Sequence, residues 1–373
     1  MKELRRPALL ENHPGLLFGL KSCDDWRPRF HSHAREVCWQ QRASTAARAL
    51  TAAPPAPSPE KEASKADAWS STRIPKSINE ISNGENILGF GANLSADHPG
   101  YNDEEYKRRR MQIVELAKQH VPGQPVPYVE YTPAETAVWG EVLTKLEKLY
   151  PDFACKQFLD TFSLFNFRPD RVPQLQDMSE VLQQRTGWTI RPVAGLLHPR
   201  DFLNGLAFRT FHSTQYIRHG SNPMYTPEPD ICHELLGHVP MLADPAFADM
   251  AYSIGLASLG ASKEDCWHLT KLYWYTVEFG VIKEGEQLKA FGAGILSSFG
   301  ELEWFQHGKG DQRPVFEPLD PFGKLTKMSY KDGFQKKYYV ADSFEDLSAK
   351  IKEYATYLHN KNKVTSLDLS ILQ

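Results

Sequence analysis

Pro229-Asp230-Ile231-Cys232-His233-Glu234-Leu235-Leu236-Gly237-His238 is the stretch on which the reading of this chain turns. Two histidines, the first followed directly by a glutamate, point to a metal-binding helix. In zinc peptidases the pair stands four apart, so both imidazoles leave one helix face with the glutamate between them. Here the spacing is five. Five residues carry an ideal α-helix about 140° past a full turn, so both rings reach one ion only if the helix is ending near Gly237 and Pro240 or the ion sits off its edge. On α-helical geometry the pair that shares a face is Glu234 and His238, which leaves Glu234 as a catalytic acid beside the metal or facing a cofactor.

Two histidines leave a divalent ion short of ligands. The best third candidate lies in Leu272-Tyr273-Trp274-Tyr275-Thr276-Val277-Glu278-Phe279-Gly280, where Glu278 is the single carboxylate in an apolar, aromatic run. A buried carboxylate without a partner is costly, and metal ligation would explain it; an exposed glutamate on an amphipathic helix is the bland reading. Trp274, four residues earlier, projects from the same helical face and becomes a candidate wall for a flat substrate. Two imidazoles and one carboxylate make the facial triad of non-haem Fe(II) oxygenases, with the opposite side open. Inserting one oxygen atom of O2 into a C–H bond requires two electrons. The chain has no complete dinucleotide fingerprint (Gly89-Phe90-Gly91 leads to Leu94 where the third glycine belongs), no haem-attachment motif and no iron–sulfur cysteine set, so the expected reductant is a small dissociable molecule.

Upstream, Gln215 to Asp230 is a proline-punctuated loop. Its Arg218 suits bidentate capture of a carboxylate, with Asp230 placed to orient the guanidinium; a plain surface arginine is the alternative. His212, His219 and the free Cys232 are read as structural. Five cysteines without a CxxC pair argue against a disulfide framework. A formal charge of −3 gives no nucleic-acid footprint, and no apolar window approaches the roughly 18 residues of a membrane span.

The fold class expected is mainly α: one helical catalytic domain with a few short strands and long loops. Thr132-Pro133-Ala134-Glu135 is a capping box that opens a helix. Further helices are expected at 103–120, 177–186, 200–208, 228–238, 244–259, 264–283 and 343–358, and strands at 188–192, 209–217 and 337–340. Residues 1–72 read as a disordered segment before a domain at 73–358 and a tail at 359–373. Through Pro59 there are nine basic residues against five acidic ones and no apolar signal core, which suggests an organelle transit peptide and linker, plastid first, mitochondrion or cytoplasm otherwise.

Four blocks then carry a resemblance: PDICHELLGHVP, YWYTVEFG, FGAGILSSFGELEW and RPVAGLLHPRDFLNGLAFRTFHSTQYIRHG. Over about Arg73 to about Tyr357 the chain resembles the tetrahydropterin-dependent aromatic amino acid hydroxylases, most nearly their phenylalanine-hydroxylating members. The resemblance implies a mono-oxygenase that converts L-phenylalanine to L-tyrosine with O2, its iron, Fe(2+), on His233, His238 and Glu278. It further implies Phe202 stacked on the pterin, Tyr273 and Glu234 bordering it, and the Gly195-Leu196-Leu197 backbone on its pyrimidine edge. Arg218, oriented by Asp230, would bind the amino acid carboxylate with Thr226 nearby. Trp274 would pack on the substrate ring, and Ser297 would support His233 through a hydrogen bond.

Departures from the animal pattern shape further expectations. His198-Pro199 replaces a serine pair on the pterin loop, and proline removes a backbone donor there, which leaves the pterin open. The pattern resembles that of members from photosynthetic organisms, which can accept a reduced folate, and this resemblance sets 10-formyltetrahydrofolate beside tetrahydrobiopterin as the expected reductant. Substrate preference depends on the loop Met328 to Gly333, where Asp332 can align with an aspartate of tyrosine hydroxylases; tyrosine or tryptophan hydroxylation is thus the alternative within the family. The segment before Arg73 does not resemble the regulatory domain, so no activation by phenylalanine is expected. After Leu358 no heptad pattern appears, and the expected state is a monomer or loose dimer. From outside the family, a zinc hydrolase survives on the HExxxH spacing alone, and a binding protein that has lost catalysis is the third reading.

Overall fold

Helix starts in this chain are written in short polar side chains. Asp103, Thr132, Asp244, Ser262 and Ser343 each accept a backbone N–H of the first turn that follows. At Thr132 the box closes both ways, with Glu135 N–H donating to Thr132 Oγ1 at 3.2 Å and Thr132 N–H donating to Glu135 Oε2 at 2.7 Å. The protein is described here from a computed structural model that places residues 73–84, 87–89, 94–308, 313–328 and 333–370. The expectations attached to residues 1–72 and to Asp332 lie outside the described residues.

The helices are α1 (Glu104–Gln119), α2 (Pro133–Leu146), α3 (Tyr150–Phe153), α4 (Lys156–Phe162), α5 (Leu175–Thr186) and α6 (Pro199–Leu206). A composite α7 (231–242), α8 (Pro245–Ser258) and a composite α9 (263–278) follow, then α10 (Ala293–Leu296), α11 (Phe299–His307), α12 (Phe344–Asn362) and α13 (Ser366–Leu369). The strands are β1 (Ile87–Gly89), β2 (Thr189–Pro192), β3 (Leu196–Leu197), β4 (Thr210–Ser213), β5 (Val281–Glu284), β6 (Gln287–Ala290), β7 (Val315–Pro318) and β8 (Lys337–Ala341). The architecture is mainly α, as expected. Short helices α3, α4, α10, α11 and α13 and the strands β1, β3, β5, β6 and β7 were not expected.

One expectation is corrected at 264–283. The helix stops at Glu278, and Val281–Glu284 turns back on Gln287–Ala290 as an antiparallel hairpin through Gly285, whose φ of 60° favours glycine. β5 then pairs in parallel with β8, giving the sheet order β6-β5-β8-β7. The strand expected at 209–217 is shorter: only Thr210–Ser213 pairs, in parallel with Thr189–Pro192, and the chain beyond it leads toward Asp230.

The core lies between α8 and α12 and beneath α7 and α9. Phe247 of α8 meets Phe344 of α12 and Phe291 edge-on at 5.8 and 6.1 Å between centroids. Met250, Ile254 and Ala257 face Leu347, Ile351 and Leu358 in the same buried cluster. Burying such side chains stabilises by about 1.5–3 kcal/mol each, so α12 braces α8, and α8 in turn packs against α7 and α9. Among the described residues no helix is long and apolar enough to cross a membrane.

Candidate metal centre

Asp230 starts the histidine helix. Its Oδ1 accepts the His233 N–H at 3.0 Å, and the first turn runs Ile231–His233. The helix then neither ends nor stays α. Glu234–His238 is a π turn, in which Val239 N–H donates to Glu234 O, five residues back, before α geometry resumes over Val239–Leu242. A turn that closes on i+5 brings residues five apart together, as residues four apart meet in an α-helix. The expectation from α geometry is thereby corrected. His233 and His238 converge, with ring centroids 4.8 Å apart, while Glu234 turns aside to Thr214, whose N–H and Oγ1–H donate to its Oε1 at 2.9 and 3.1 Å. Pro240, which has no N–H to donate to the turn before it, sits just past the widening.

Glu278 also closes a π turn. Lys263–Tyr273 is α, Trp274–Glu278 is π, and Phe279 N–H donates to Trp274 O at 2.8 Å. Two glycines let the surrounding chain close on the two turns. A Cβ on Gly237 would stand 2.8 Å from the Ala293 side chain and carbonyl, and one on Gly292 would stand 2.5 Å from the Glu278 carbonyl.

His233 Nε2 and His238 Nε2 lie 3.1 Å apart, and Glu278 places Oε2 3.5 Å from the first and Oε1 3.3 Å from the second. Among the described residues this is the one group of three or more His, Cys, Asp or Glu side chains close enough to hold an ion. Three donors at such separations suit one divalent first-row ion at about 2.0–2.2 Å from each. The His233 and Glu278 side chains keep 13% and 16% of their surface and His238 only 3%, so the triangle opens on the side of the first two. Burial alone would raise the Glu278 carboxyl, but the charge and hydrogen bonds of the two imidazoles outweigh it and hold the group well below the usual carboxylate range. The ligand is ionised.

Ser297 fixes the tautomer of His233. Its hydroxyl donates to Ala293 O at 2.7 Å, so toward His233 Nδ1, 2.8 Å away, it acts as acceptor. Nδ1 then carries the proton and Nε2 turns its lone pair toward the other donors. Asp230 links the same helix to Arg218. Arg218 Nε and Nη2 donate to the two carboxylate oxygens at 2.8 and 2.7 Å, its backbone N–H adds a third bond at 2.8 Å, and Nη1 donates to Pro223 O at 3.1 Å. Burial would raise the Asp230 carboxyl, and the guanidinium reverses this, so both charges persist in a site from which solvent is almost excluded.

The remaining expected residues fall around this frame. Phe202, on α6, meets Tyr273 edge-on at 5.0 Å. Tyr273 Oη and Thr226 Oγ1 are buried and have no hydrogen-bond partner among the described residues, which leaves two hydroxyls for a ligand. The Tyr273 phenol is raised well above its ordinary value, by burial first and then by the charges of Glu278 and Glu234. Glu234 is itself raised to about 7 by burial. Gly195 and Leu197 are buried, and Leu197 pairs with Ile87 of β1. His198 caps α6, its Nδ1 accepting the Arg200 N–H at 3.2 Å. Trp274 Nε1–H donates to Gln335 Oε1 at 3.2 Å, and its ring lies 4.6 Å from Phe279.

Sequence reasoning missed Thr214, Gln335, and a buried cluster in which Glu228 pairs with Arg110 and with His98 at 3.2 Å. Single polar residues in loops carry no spacing signal; only Glu228, an acid between two prolines in the Arg218 loop, stood out in type. Cys232 is fully buried with its thiol raised, and burial lowers His212 to about 3, as befits structural residues.

Residues 72–368 match the family model described as biopterin-dependent aromatic amino acid hydroxylase. The chain is 66% identical over 291 residues to the chloroplastic phenylalanine 4-monooxygenase of Physcomitrium patens, covering 78% of this chain and 74% of that one. Against the protein of the same name from Pinus taeda it is 65% identical over 289 residues, with 78% and 80% covered. Among solved structures, phenylalanine hydroxylase of Chromobacterium violaceum with bound iron(III) and oxidised 7,8-dihydrobiopterin is similar at a TM-score of 0.60 and 32% identity, over 69% of this chain and 92% of that one. The zinc-hydrolase reading of the histidine motif falls with these matches. The chain belongs to the biopterin-dependent aromatic amino acid hydroxylases.

Proposed function

We propose that the chain hydroxylates L-phenylalanine to L-tyrosine, with Fe(II) held by His233, His238 and Glu278 and a reduced pterin as two-electron donor. Two imidazole nitrogens 3.1 Å apart, with one Glu278 oxygen 3.3 Å from His238 and the other 3.5 Å from His233 and one side left open, carry this reading. Bound together, iron and reduced pterin supply the reduction of dioxygen, one atom of which enters the aromatic ring. The protein positions the partners. Arg218, steered by ionised Asp230 and still holding donors on its Nη atoms, binds the amino acid carboxylate, and the Thr226 hydroxyl adds a bond. Trp274 packs against the substrate ring. Phe202 would stack on the pterin, Tyr273 and Glu234 would border it, and the Gly195–Leu197 backbone would hold its pyrimidine edge. Ser297 holds His233 in the tautomer that binds metal.

Residues 73–358 are the catalytic unit in this reading, and α12 carries its edge on to Asn362. A monomer or loose dimer fits the described C-terminal part, where Lys361 and Asn362 both bond Asp265 of their own chain at 2.6 and 3.1 Å. Light scattering that gave a stable tetramer would contradict that. A plastid address fits the names of both plant relatives above. The decisive assay loads the protein with Fe(II) without oxygen. It then admits O2 with phenylalanine and either tetrahydrobiopterin or 10-formyltetrahydrofolate, and measures tyrosine. Tyrosine is expected, and its loss in His233→Ala and Glu278→Ala; DOPA from tyrosine with none from phenylalanine would move the assignment to the sister activity.

A further inference from the structure

Glu301 is a buried carboxylate remote in function from the metal triangle. It is 5% exposed on α11, and among the described residues no cation forms an ion pair with it. A buried acid without a cation is costly, so what it holds in place is informative. Its Oε1 accepts Gln335 N–H at 3.0 Å and Tyr338 Oη–H at 2.5 Å. Trp304, also on α11, donates its Nε1–H to the Gln335 carbonyl at 2.8 Å, and its ring stacks on Phe334 at 5.8 Å. Gln335 is therefore gripped by α11 at both backbone groups and is itself only 3% exposed.

The side chain of Gln335 reaches α9. Trp274 Nε1 can only donate, so the amide atom 3.2 Å away is the oxygen, and the rotamer and flip of Gln335 are set by that bond. Trp274 opens the π turn that ends at the ligand Glu278. From these contacts we infer that Gln335, clamped by Glu301, is a positioning residue that fixes the plane of the Trp274 indole and thereby sets which aromatic ring the amino acid pocket accepts. This rests on the reading that Trp274 packs against the substrate ring. Without the acceptor, the indole keeps its ring contact with Phe279 but loses the Nε1–H bond to Gln335 that directs its plane.

The test is kinetic and uses the iron-loaded full chain with phenylalanine and tryptophan. Gln335→Met keeps the length of the side chain and removes the acceptor. It is expected to raise KM for phenylalanine by roughly tenfold, the size of one net hydrogen bond, with kcat moved far less, and to narrow the preference for phenylalanine over tryptophan. Trp274→Phe removes the donor, so in that background Gln335→Met should change KM and preference no further. Glu301→Gln retains an acceptor oxygen for Gln335 and Tyr338 and should preserve the preference, whereas Glu301→Leu should reproduce Gln335→Met. If Gln335→Met does not fold, Gln335→Asn, which keeps the amide but shortens its reach, carries the same expectation. An unchanged preference in a folded variant, or equal effects of Gln335→Met with and without the Trp274 indole, overturns the inference. Wild-type turnover separates the two levels: no tyrosine from wild type defeats the functional reading and the clamp with it, while normal wild-type turnover with an unmoved preference defeats the clamp alone.

Discussion

Ser297→Ala isolates the support behind one metal ligand. The serine proton goes to Ala293 O at 2.7 Å, so the only role left toward His233 is to accept the Nδ1–H at 2.8 Å. Alanine leaves that N–H without its partner on a largely buried ring, whose side chain is 13% exposed, a loss of about 1–3 kcal/mol. The metal-free imidazole can relax by changing tautomer or turning. The metal-bound ring cannot, because Nε2 must stay on the ion and Nδ1 must keep its proton. Most of the loss therefore falls on the bound state, and about 1.4–2.8 kcal/mol of it corresponds to a 10–100-fold weaker metal affinity. Anaerobic titration with Fe(II), or Co(II) as a spectroscopic stand-in, measures this directly. The rise in melting temperature on adding metal should shrink in parallel, since ligand stabilisation follows the logarithm of concentration over Kd. An affinity within twofold of wild type in a normally folded variant would refute the assignment of the Ser297 hydroxyl as the partner of His233.

Three other substitutions test neighbouring parts of the argument. Gly237→Ala places a Cβ 2.8 Å from the Ala293 carbonyl and side chain, a clash with backbone that cannot swing aside, and should destabilise by about 1–3 kcal/mol in urea melts while also weakening metal binding. Glu228→Ala takes the carboxylate from buried Arg110, whose guanidinium lies 3.6 Å over the Tyr216 ring, and should cost about 3–5 kcal/mol; a shift below 1 kcal/mol would show the pair to be dispensable. Burial raises the Glu301 carboxyl from 4.5 to about 7, so between those values the native chain holds a proton that the unfolded chain has released. Stability should fall by about 3 kcal/mol as pH rises through that window and level off above it, and the comparison of wild type with Glu301→Gln at pH 5 and pH 8 should show this component missing from the variant.

What could be read without coordinates is what local chemistry determines. The capping box at Thr132 marked its helix start to within a residue, because the side chain bonds its own first turn, and the apolar spacing placed the starts near Asp103 and Ser343, where the structure shows caps of the same kind. The hairpin after Glu278 could not be read that way. Val281 and Ile282 continue the apolar face of the preceding helix, and they become strand through pairing with Val340 and Ala341 far along the chain. Helices α4 and α11, seven and nine residues long, are too short for periodicity to separate them from loop.

The ligands were legible by type and their geometry was not. Counting on an α-helix sets His233 and His238 on diverging faces, and the contradiction with a shared ion was itself the signal that the helix departs from α. The departure is the π turn, and Glu278 closes a second one. Both turns lean on one short segment: Gly292 lies under the Glu278 carbonyl, Ala293 fills the space left by Gly237, and Ser297 holds His233. Two of these contacts cross more than 50 residues of sequence and the third passes around the β5–β6 hairpin, so local periodicity signals none of them. The arrangement also orders cause and effect. Widened turns are poorer hydrogen-bonded structures than α-helix and persist only where packing over-determines them. Residues 292–297 supply that packing for all three ligands at once, so a disturbance there should reach the metal through both turns, even though none of those residues touches it.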